Sequence, residues 1–165
     1  MMSLPQIEIR PAQPYVHVPF EVTMAQMTKP ADEGFPRLYA WLDRHGIAPA
    51  GAPFYNYRRI DMDRTLDVEA GIPVALPAPV EGAIKNGTLP GGRFMTIRWH
   101  GHYDSLETVT GMMIGWVRLI EERFDMHEAA DGEHFACRLE IYETDPSVVK
   151  NPEDWVTKLA FKLRG

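Results

Sequence analysis

Hydrophobic and polar positions along the first half of the chain predict four strands and one helix. Strand segments have a two-residue period and helices a period near 3.6 residues. In the segment from Phe35 to Arg44, Leu38, Trp41 and Leu42 share one face, and Gly46 stands where a glycine commonly ends a helix. The predicted strands are Ile7 to Arg10, Tyr15 to Val22, Phe54 to Ile60 and Asp67 to Ala75.

The second half repeats this order around a longer amphipathic helix. The turn Leu89-Pro90-Gly91-Gly92 precedes a strand, because Pro fixes φ and paired glycines accept positive φ. Asp104 or Ser105 is a suitable N-cap for the helix. Apolar residues spaced three and four apart predict its buried face, namely Leu106, Val109, Met113, Trp116, Val117, Ile120 and Phe124. The predicted strands are Arg93 to Trp99, Cys137 to Thr144 and Trp155 to Arg164.

The order strand, helix, strand, strand, predicted twice, indicates an α+β fold made of two repeated units. The units cover about residues 1–76 and 83–165, and the boundary between them is predicted to fall in the Pro- and Gly-bearing segment from Pro77 to Thr88. We expect the 165 residues to form one domain. Two such units commonly meet about a pseudo-twofold axis and leave a cleft between them, where ligands commonly bind.

Charge and cysteine content exclude several classes of protein. The net charge is −6 and no patch is rich in Lys or Arg, so we expect no direct nucleic-acid partner. Cys137 is the only cysteine, so no intramolecular disulfide can form. The chain has neither an apolar run that would span a bilayer nor the pattern of a signal peptide, so we expect a cytoplasmic protein without a membrane partner.

Glu140 is the main candidate for binding chemistry. In the strand from Cys137 to Thr144, Glu140 shares a face with Arg138 and Tyr142. If this face lines the cleft, a carboxylate is held among aromatic rings, where it either rises in pKa or attracts a cation. The aromatic candidates for the same site are Tyr142, Tyr57, Tyr55, Trp99, Trp116 and Phe161.

This combination suits a ligand with a flat apolar body and a positive or proton-accepting centre. The rings supply contact area and cation–π attraction, and the carboxylate fixes the charge. The same residues could also carry out general acid catalysis, with Glu140 as the catalytic residue. In the alternative arrangement Glu140 lies on the solvent face and pairs with Arg138 or another exposed partner.

Other reactive residues lack an accompanying motif. His100 and His102 form a His-x-His pair, but no Cys or carboxylate pair with metal-ligand spacing accompanies them, so we expect no metal. Ser105 is not surrounded by a nucleophile-elbow sequence. Cys137 lies on the predicted core face, where we expect inert packing. We therefore expect no cofactor.

Four segments of the chain form a recognisable series. They are Asp67-Val68-Glu69-Ala70-Gly71-Ile72-Pro73-Val74, Leu89-Pro90-Gly91-Gly92-Arg93-Phe94, His100-Gly101-His102-Tyr103-Asp104 and Glu140-Ile141-Tyr142-Glu143-Thr144-Asp145-Pro146. In this order they resemble the GyrI-like family, also called the AraC-type or bacterial transcription-activator effector-binding domain, and the resemblance covers nearly the whole chain.

The resemblance implies a tandem β-α-β-β fold with a curved antiparallel sheet of about eight strands, two main helices and a central pocket. A family glutamate that recognises cationic, aromatic, drug-like molecules matches Glu140, while Tyr142 and Tyr57 match aromatic positions. Two positions depart from the family pattern. His102 replaces a proline in the turn before the second helix, and Lys158 replaces an acidic residue in the last strand.

The resemblance leaves four functions open. The first is a stand-alone protein that binds small molecules, perhaps together with a separate regulator protein. The second is a hydrolase of cyclopropane-bearing alkylating compounds, which would use the same pocket and Glu140. The third is a gyrase-inhibitor-like protein that contacts a protein partner. The fourth is haem binding, as in the related SOUL family, which would use the histidines.

Overall fold

One curved antiparallel sheet carries two helices on one of its faces. The computed structural model describes residues 1–165. The helices are α1 (Phe35–Arg44) and α2 (Leu106–Leu119). The ten strands are β1 (Gln6–Arg10), β2 (Gln13–Val22), β3 (Phe54–Ile60), β4 (Leu66–Pro73), β5 (Lys85–Leu89), β6 (Gly92–His100), β7 (Met126–Ala129), β8 (Gly132–Phe135), β9 (Arg138–Tyr142) and β10 (Val156–Lys162).

The strand order reflects the repeated units. Eight strands follow the order β1-β6-β10-β9-β3-β4-β2-β5, and the β7–β8 hairpin joins β3 through β8. The unit β2-α1-β3-β4 therefore meets the unit β6-α2-β9-β10 at the β9–β3 pair. The strand that precedes each unit crosses to the other one, since β1 pairs with β6 and β5 pairs with β2. The predicted α+β fold with a tandem β-α-β-β order and a curved sheet is confirmed.

Each helix covers its own apolar cluster. Leu38, Trp41 and Leu42 of α1 are buried against β2 and β4, as their spacing predicts. The C-terminal turn of α1 is followed by Gly46, which has a φ of 65°. The buried face of α2 consists of Leu106, Val109, Met113 and Val117, packed against β6 and β10.

Part of the predicted α2 stripe is wrong. Trp116 and Ile120 are 38% and 39% exposed, because they lie on the flank of the helix beside the sheet-facing row. Phe124 lies beyond the end of the helix and forms an isolated bridge with Leu163. The apolar period therefore marks a wider arc than the one that the sheet covers.

Three strands were not predicted. The segment from Pro77 to Thr88 contains most of β5, which pairs with Gln13–His17. Asn86 fixes the preceding loop, because its amide donates to the Ala78 carbonyl at 2.6 Å and accepts from the Ala78 N–H at 3.1 Å. The β7–β8 hairpin is short and mostly exposed, so it has little apolar alternation.

The register of the central strands decides which side chains reach the helix face, defined here as the sheet face that α1 and α2 cover. Tyr55 of β3 and Leu159 of β10 both stand directly opposite Glu140 of β9. Directly opposed residues point to the same side of an antiparallel sheet. Glu140 and Tyr55 therefore project from the middle of the helix face. Neither helix has the length and apolar content needed to cross a membrane.

Candidate functional site

A cavity of about 800 Å³ opens over the β9–β3 pair, with residues of both helices among its lining. This central cavity has a floor of β3 and β9 side chains, a wall from α1 and the segment before it, and a wall from the start of α2. The sheet is open here because α1 packs on β2 and β4, whereas α2 packs on β6 and β10. The floor residues are Tyr55, Tyr57, Arg138, Glu140 and Tyr142.

Glu140 lies at the centre of this floor. The Tyr142 hydroxyl donates a hydrogen bond to Glu140 Oε1 at 2.6 Å. Surrounding protein excludes water and raises the pKa of Glu140, while the Tyr142 hydrogen bond, Arg138 and the Tyr57 hydroxyl oppose that increase. No ion pair is formed by Glu140, in contrast to the solvent-face pairing that the alternation also permitted. Its carboxyl group therefore lacks a cationic partner in the structure.

The tyrosines of the floor are held in place by their neighbours. The Tyr55 hydroxyl donates to the Met27 carbonyl and accepts from the Ala31 N–H, both at 2.8 Å, so the segment before α1 fixes its ring. The rings of Tyr55 and Tyr142 meet edge to face, with centroids 5.3 Å apart and planes at 88°. Burial raises the pKa of both phenols, so both remain protonated.

Further aromatic side chains extend this wall. Phe35 of α1 approaches Tyr142 at 6.1 Å between centroids, and Tyr103 approaches it at 5.6 Å. Trp155 lies next to Tyr103 outside the lining, with ring centroids 4.7 Å apart and planes tilted by 31°. The sequence analysis did not assign Phe35 or Tyr103 to the site. For Tyr103 a signal existed, since it belongs to the Gly101-His102-Tyr103 turn, which is part of the family resemblance.

Three of the predicted aromatic residues lie elsewhere. Trp99 packs into the α2 cluster and donates its indole N–H to the His102 carbonyl at 3.0 Å. Trp116 lies on the outer flank of α2. Phe161 is buried under α2 and reaches the cavity only indirectly, since the Arg138 guanidinium lies over its ring. None of the three lines the central cavity, because α2 covers the part of the sheet that carries Trp99 and Phe161, and Trp116 belongs to α2 itself.

No tryptophan side chain occupies the central cavity, which is therefore open. Trp41 is 2% exposed within the α1 cluster, and Trp99 and Trp116 belong to the α2 side. The cavity lining instead carries five carboxyl groups and one cationic side chain, that of Arg138. The carboxyl groups belong to Asp32, Glu107, Glu140, Glu143 and Asp145. The site is therefore acidic as a whole.

The other reactive residues have structural surroundings. His102 Nδ1 accepts from the Asp104 N–H at 3.1 Å, and its ring stacks on Trp155 at 5.5 Å, so it caps the turn before α2. Lys158 points away from the helix face and binds Glu8 at 2.8 Å. Burial raises the pKa of Cys137 to about 12, which keeps the thiol protonated.

The family comparison agrees with this architecture. A model of the GyrI-like small molecule binding domain matches residues 4–164, so the chain belongs to this family. Its class is that of a small-molecule binding domain. Among curated proteins, none matches the sequence significantly.

Solved structures with this fold include two of EcmrR. The EcmrR C-terminal domain has a TM-score of 0.70 at 18% identity, with 98% of this chain and 97% of that domain covered. EcmrR in its complex with DNA has a TM-score of 0.74 at 18% identity, with 98% of this chain covered. This chain spans only 57% of the length of that EcmrR chain.

Two further similar structures are a ligand complex and a hydrolase. SAV2435 bound to tetraphenylphosphonium has a TM-score of 0.63 at 10% identity, with 99% of this chain and 95% of SAV2435 covered. A hydrolase from Listeria innocua has a TM-score of 0.62 at 15% identity, with 97% of this chain and 91% of the hydrolase covered. At these identities the likeness extends to the fold alone.

Proposed function

We propose that this protein binds aromatic ligands carrying a positive charge, with Glu140 as the counter-charge. The observation that carries the proposal is the Glu140 carboxyl group, which lies on the floor of an open cavity without a cationic partner. A carboxylate kept from water is stabilised when a ligand brings the missing charge. The ligand thereby relieves a cost already present in the free protein.

The aromatic lining supports the same ligand class. Tyr55, Tyr57 and Tyr142 supply rings around Glu140, and rings attract a nearby cation through their faces. Cavities of about 300–1,000 Å³ accommodate drug-sized ligands, so the volume of about 800 Å³ is sufficient. The surrounding carboxyl groups add a negative potential that favours cation entry.

Fluorescence titration with tetraphenylphosphonium tests the proposal. The Trp155 ring lies 4.7 Å from that of the cavity residue Tyr103, so a bound ligand should change tryptophan emission. We expect saturable binding to the parent protein and a loss of affinity of at least about tenfold in Glu140→Gln, the effect of one partly desolvated charge pair. Glu128→Gln is the matched control, because it removes the same charge from the exposed strand β7. Equal affinity of all three proteins would reject Glu140 as the counter-charge.

A second function, hydrolysis of a cyclopropane-bearing alkylating compound, is favoured by the raised pKa of Glu140. A carboxyl group in this state, hydrogen-bonded to Tyr142, can exchange protons with a reacting group or position a water molecule. Chromatographic measurement of substrate loss distinguishes this function from binding. We expect Glu140→Gln to abolish turnover and Glu128→Gln to preserve it; undiminished turnover in Glu140→Gln would remove Glu140 from the mechanism.

A further inference from the structure

Arg138 is the cationic residue of the central cavity and occupies an aromatic cage at its floor. Its guanidinium carbon lies 4.6 Å from the ring centroid of Phe161, 4.8 Å from that of Phe135 and 5.6 Å from that of Tyr57. These distances are within the range of cation–π attraction. The guanidinium lies over the three rings, which offer no hydrogen-bond acceptor to its N–H groups.

The hydrogen-bonding capacity of Arg138 is unused. A guanidinium has five N–H donors, and the Arg138 side chain donates no hydrogen bond in the structure. Its Nε atom is buried without a partner. Burial lowers the pKa of Arg138, and nearby Tyr57 and Glu140 oppose that change, but an arginine side chain remains charged in a protein. An unpaired donor of this kind is costly and uncommon.

Other partly buried cations of this chain have carboxylate partners. Arg59 binds Asp67 at 2.9 Å, Lys158 binds Glu8 at 2.8 Å and Lys162 binds Asp125 at 3.0 Å. Arg138 differs from them although Glu140 is only two residues away on the same strand face. The two residues are separated by about 7 Å along the strand, and they form no ion pair. The cavity floor thus presents a positive and a negative group at two separate points.

We infer that the preferred ligand of the central cavity is an aromatic zwitterion, whose cationic centre contacts Glu140 and whose carboxylate or similar acceptor accepts hydrogen bonds from Arg138. This inference rests on the proposed function and narrows its ligand class. A ligand with only a positive charge satisfies Glu140 but leaves Arg138 unpaired beside a second cation. A ligand with both charges satisfies both groups, and its planar acceptor matches the fork of the guanidinium.

A pair of dyes that differ at one group tests the inference. Rhodamine B has a free carboxylate and a delocalised cation, whereas its ethyl ester keeps the cation and lacks the carboxylate. Affinities for both dyes are measured by fluorescence polarisation at neutral pH. We expect the parent protein to bind rhodamine B at least about tenfold more tightly than the ester, which corresponds to a hydrogen bond with a charged group.

Variants then locate the preference. Arg138→Met retains most of the apolar stem and removes the charge, so the affinity ratio of the two dyes should fall to about one or invert. Arg37→Met is the matched control, because it removes the same charge from the exposed side of α1 and should leave the ratio unchanged. If Arg138→Met does not fold, Arg138→Lys keeps the charge without the planar fork and should reduce the ratio.

The outcomes separate this inference from the proposed function. If the parent protein binds both dyes tightly and its affinity for rhodamine B is equal to or lower than its affinity for the ester, the zwitterion inference is overturned and cation binding stays in place. An unchanged preference in Arg138→Met would likewise overturn it. Absence of binding by either dye and by tetraphenylphosphonium would overturn both.

Discussion

Removing the Tyr142 hydroxyl should move the pH dependence of cation binding to higher pH. Tetraphenylphosphonium keeps its charge at every pH, so its affinity reports the charge of Glu140. Below the folded-state pKa of Glu140 the carboxyl group is protonated and neutral, and above it the group is an anion. Because the pKa of Glu140 is raised, affinity should increase with pH through a midpoint above the ordinary range for a carboxyl group.

The size of the shift follows from the hydrogen bond. The Tyr142 hydroxyl donates to Glu140 Oε1 at 2.6 Å and stabilises the anion. A hydrogen bond to a charged group contributes about 1.5–3 kcal/mol, and one pKa unit corresponds to about 1.4 kcal/mol. Tyr142→Phe keeps the ring and removes the donor, so the midpoint should rise by about one to two pH units.

The assay is a set of tetraphenylphosphonium titrations across the pH range in which the protein stays folded. Tyr55→Phe is the matched control, because the Tyr55 hydroxyl binds the backbone of Met27 and Ala31 rather than Glu140. Its affinity can change, but its midpoint should stay within a few tenths of a pH unit of the parent value. An unchanged or lowered midpoint in Tyr142→Phe would refute the assignment of Glu140 as the titrating group.

Four further predictions concern stability and reactivity. Since the folded-state pKa of Glu140 is raised, the parent protein should lose stability relative to Glu140→Gln as pH rises through that pKa. Urea unfolding of both proteins at acid and neutral pH measures this loss, and the same stability difference at both pH values would contradict the prediction. Gly132→Ala should lower stability by about 1–3 kcal/mol, because φ is 126° and the new Cβ would lie 2.5 Å from the Ile60 oxygen. Gly111→Ala should instead stabilise α2 by up to about 1 kcal/mol, because nothing lies within 4 Å of its Cβ position. Thermal melting measures both glycine variants, and a shift of their two melting temperatures in the same direction would contradict this contrast. Cys137 should resist iodoacetamide until urea unfolds the chain, because its thiol is buried with a pKa of about 12; rapid labelling of the native protein would disprove that burial.

The helices and most strands follow from the sequence because their signals are local. The period of Leu38, Trp41 and Leu42 records one buried helix face, and two-residue alternation places Glu140 beside Tyr142 on one side of a strand. These relations depend on backbone geometry over a few residues. The pattern also indicated two repeated units with a cleft between them, and the family resemblance added a curved sheet and a pocket glutamate.

Neighbours across the sheet were decided only by the tertiary structure. Strand β5 has little alternation of its own and forms because Gln13–His17 offers it a partner. The hairpin β7–β8 attaches to β3 in the same way. Local periodicity indicates which face of a segment is buried but does not identify the segment that buries it.

The same reason explains which site residues were predictable. Tyr55 and Tyr57 reach Glu140 because β3 pairs with β9, whereas Trp99 and Phe161 lie under α2 although they are equally aromatic. The sequence by itself determined the carboxylate, its tyrosine partner and the faces of the helices. Tertiary packing decided which rings surround that carboxylate and left Arg138 without an acceptor, since both depend on contacts between residues far apart in the chain.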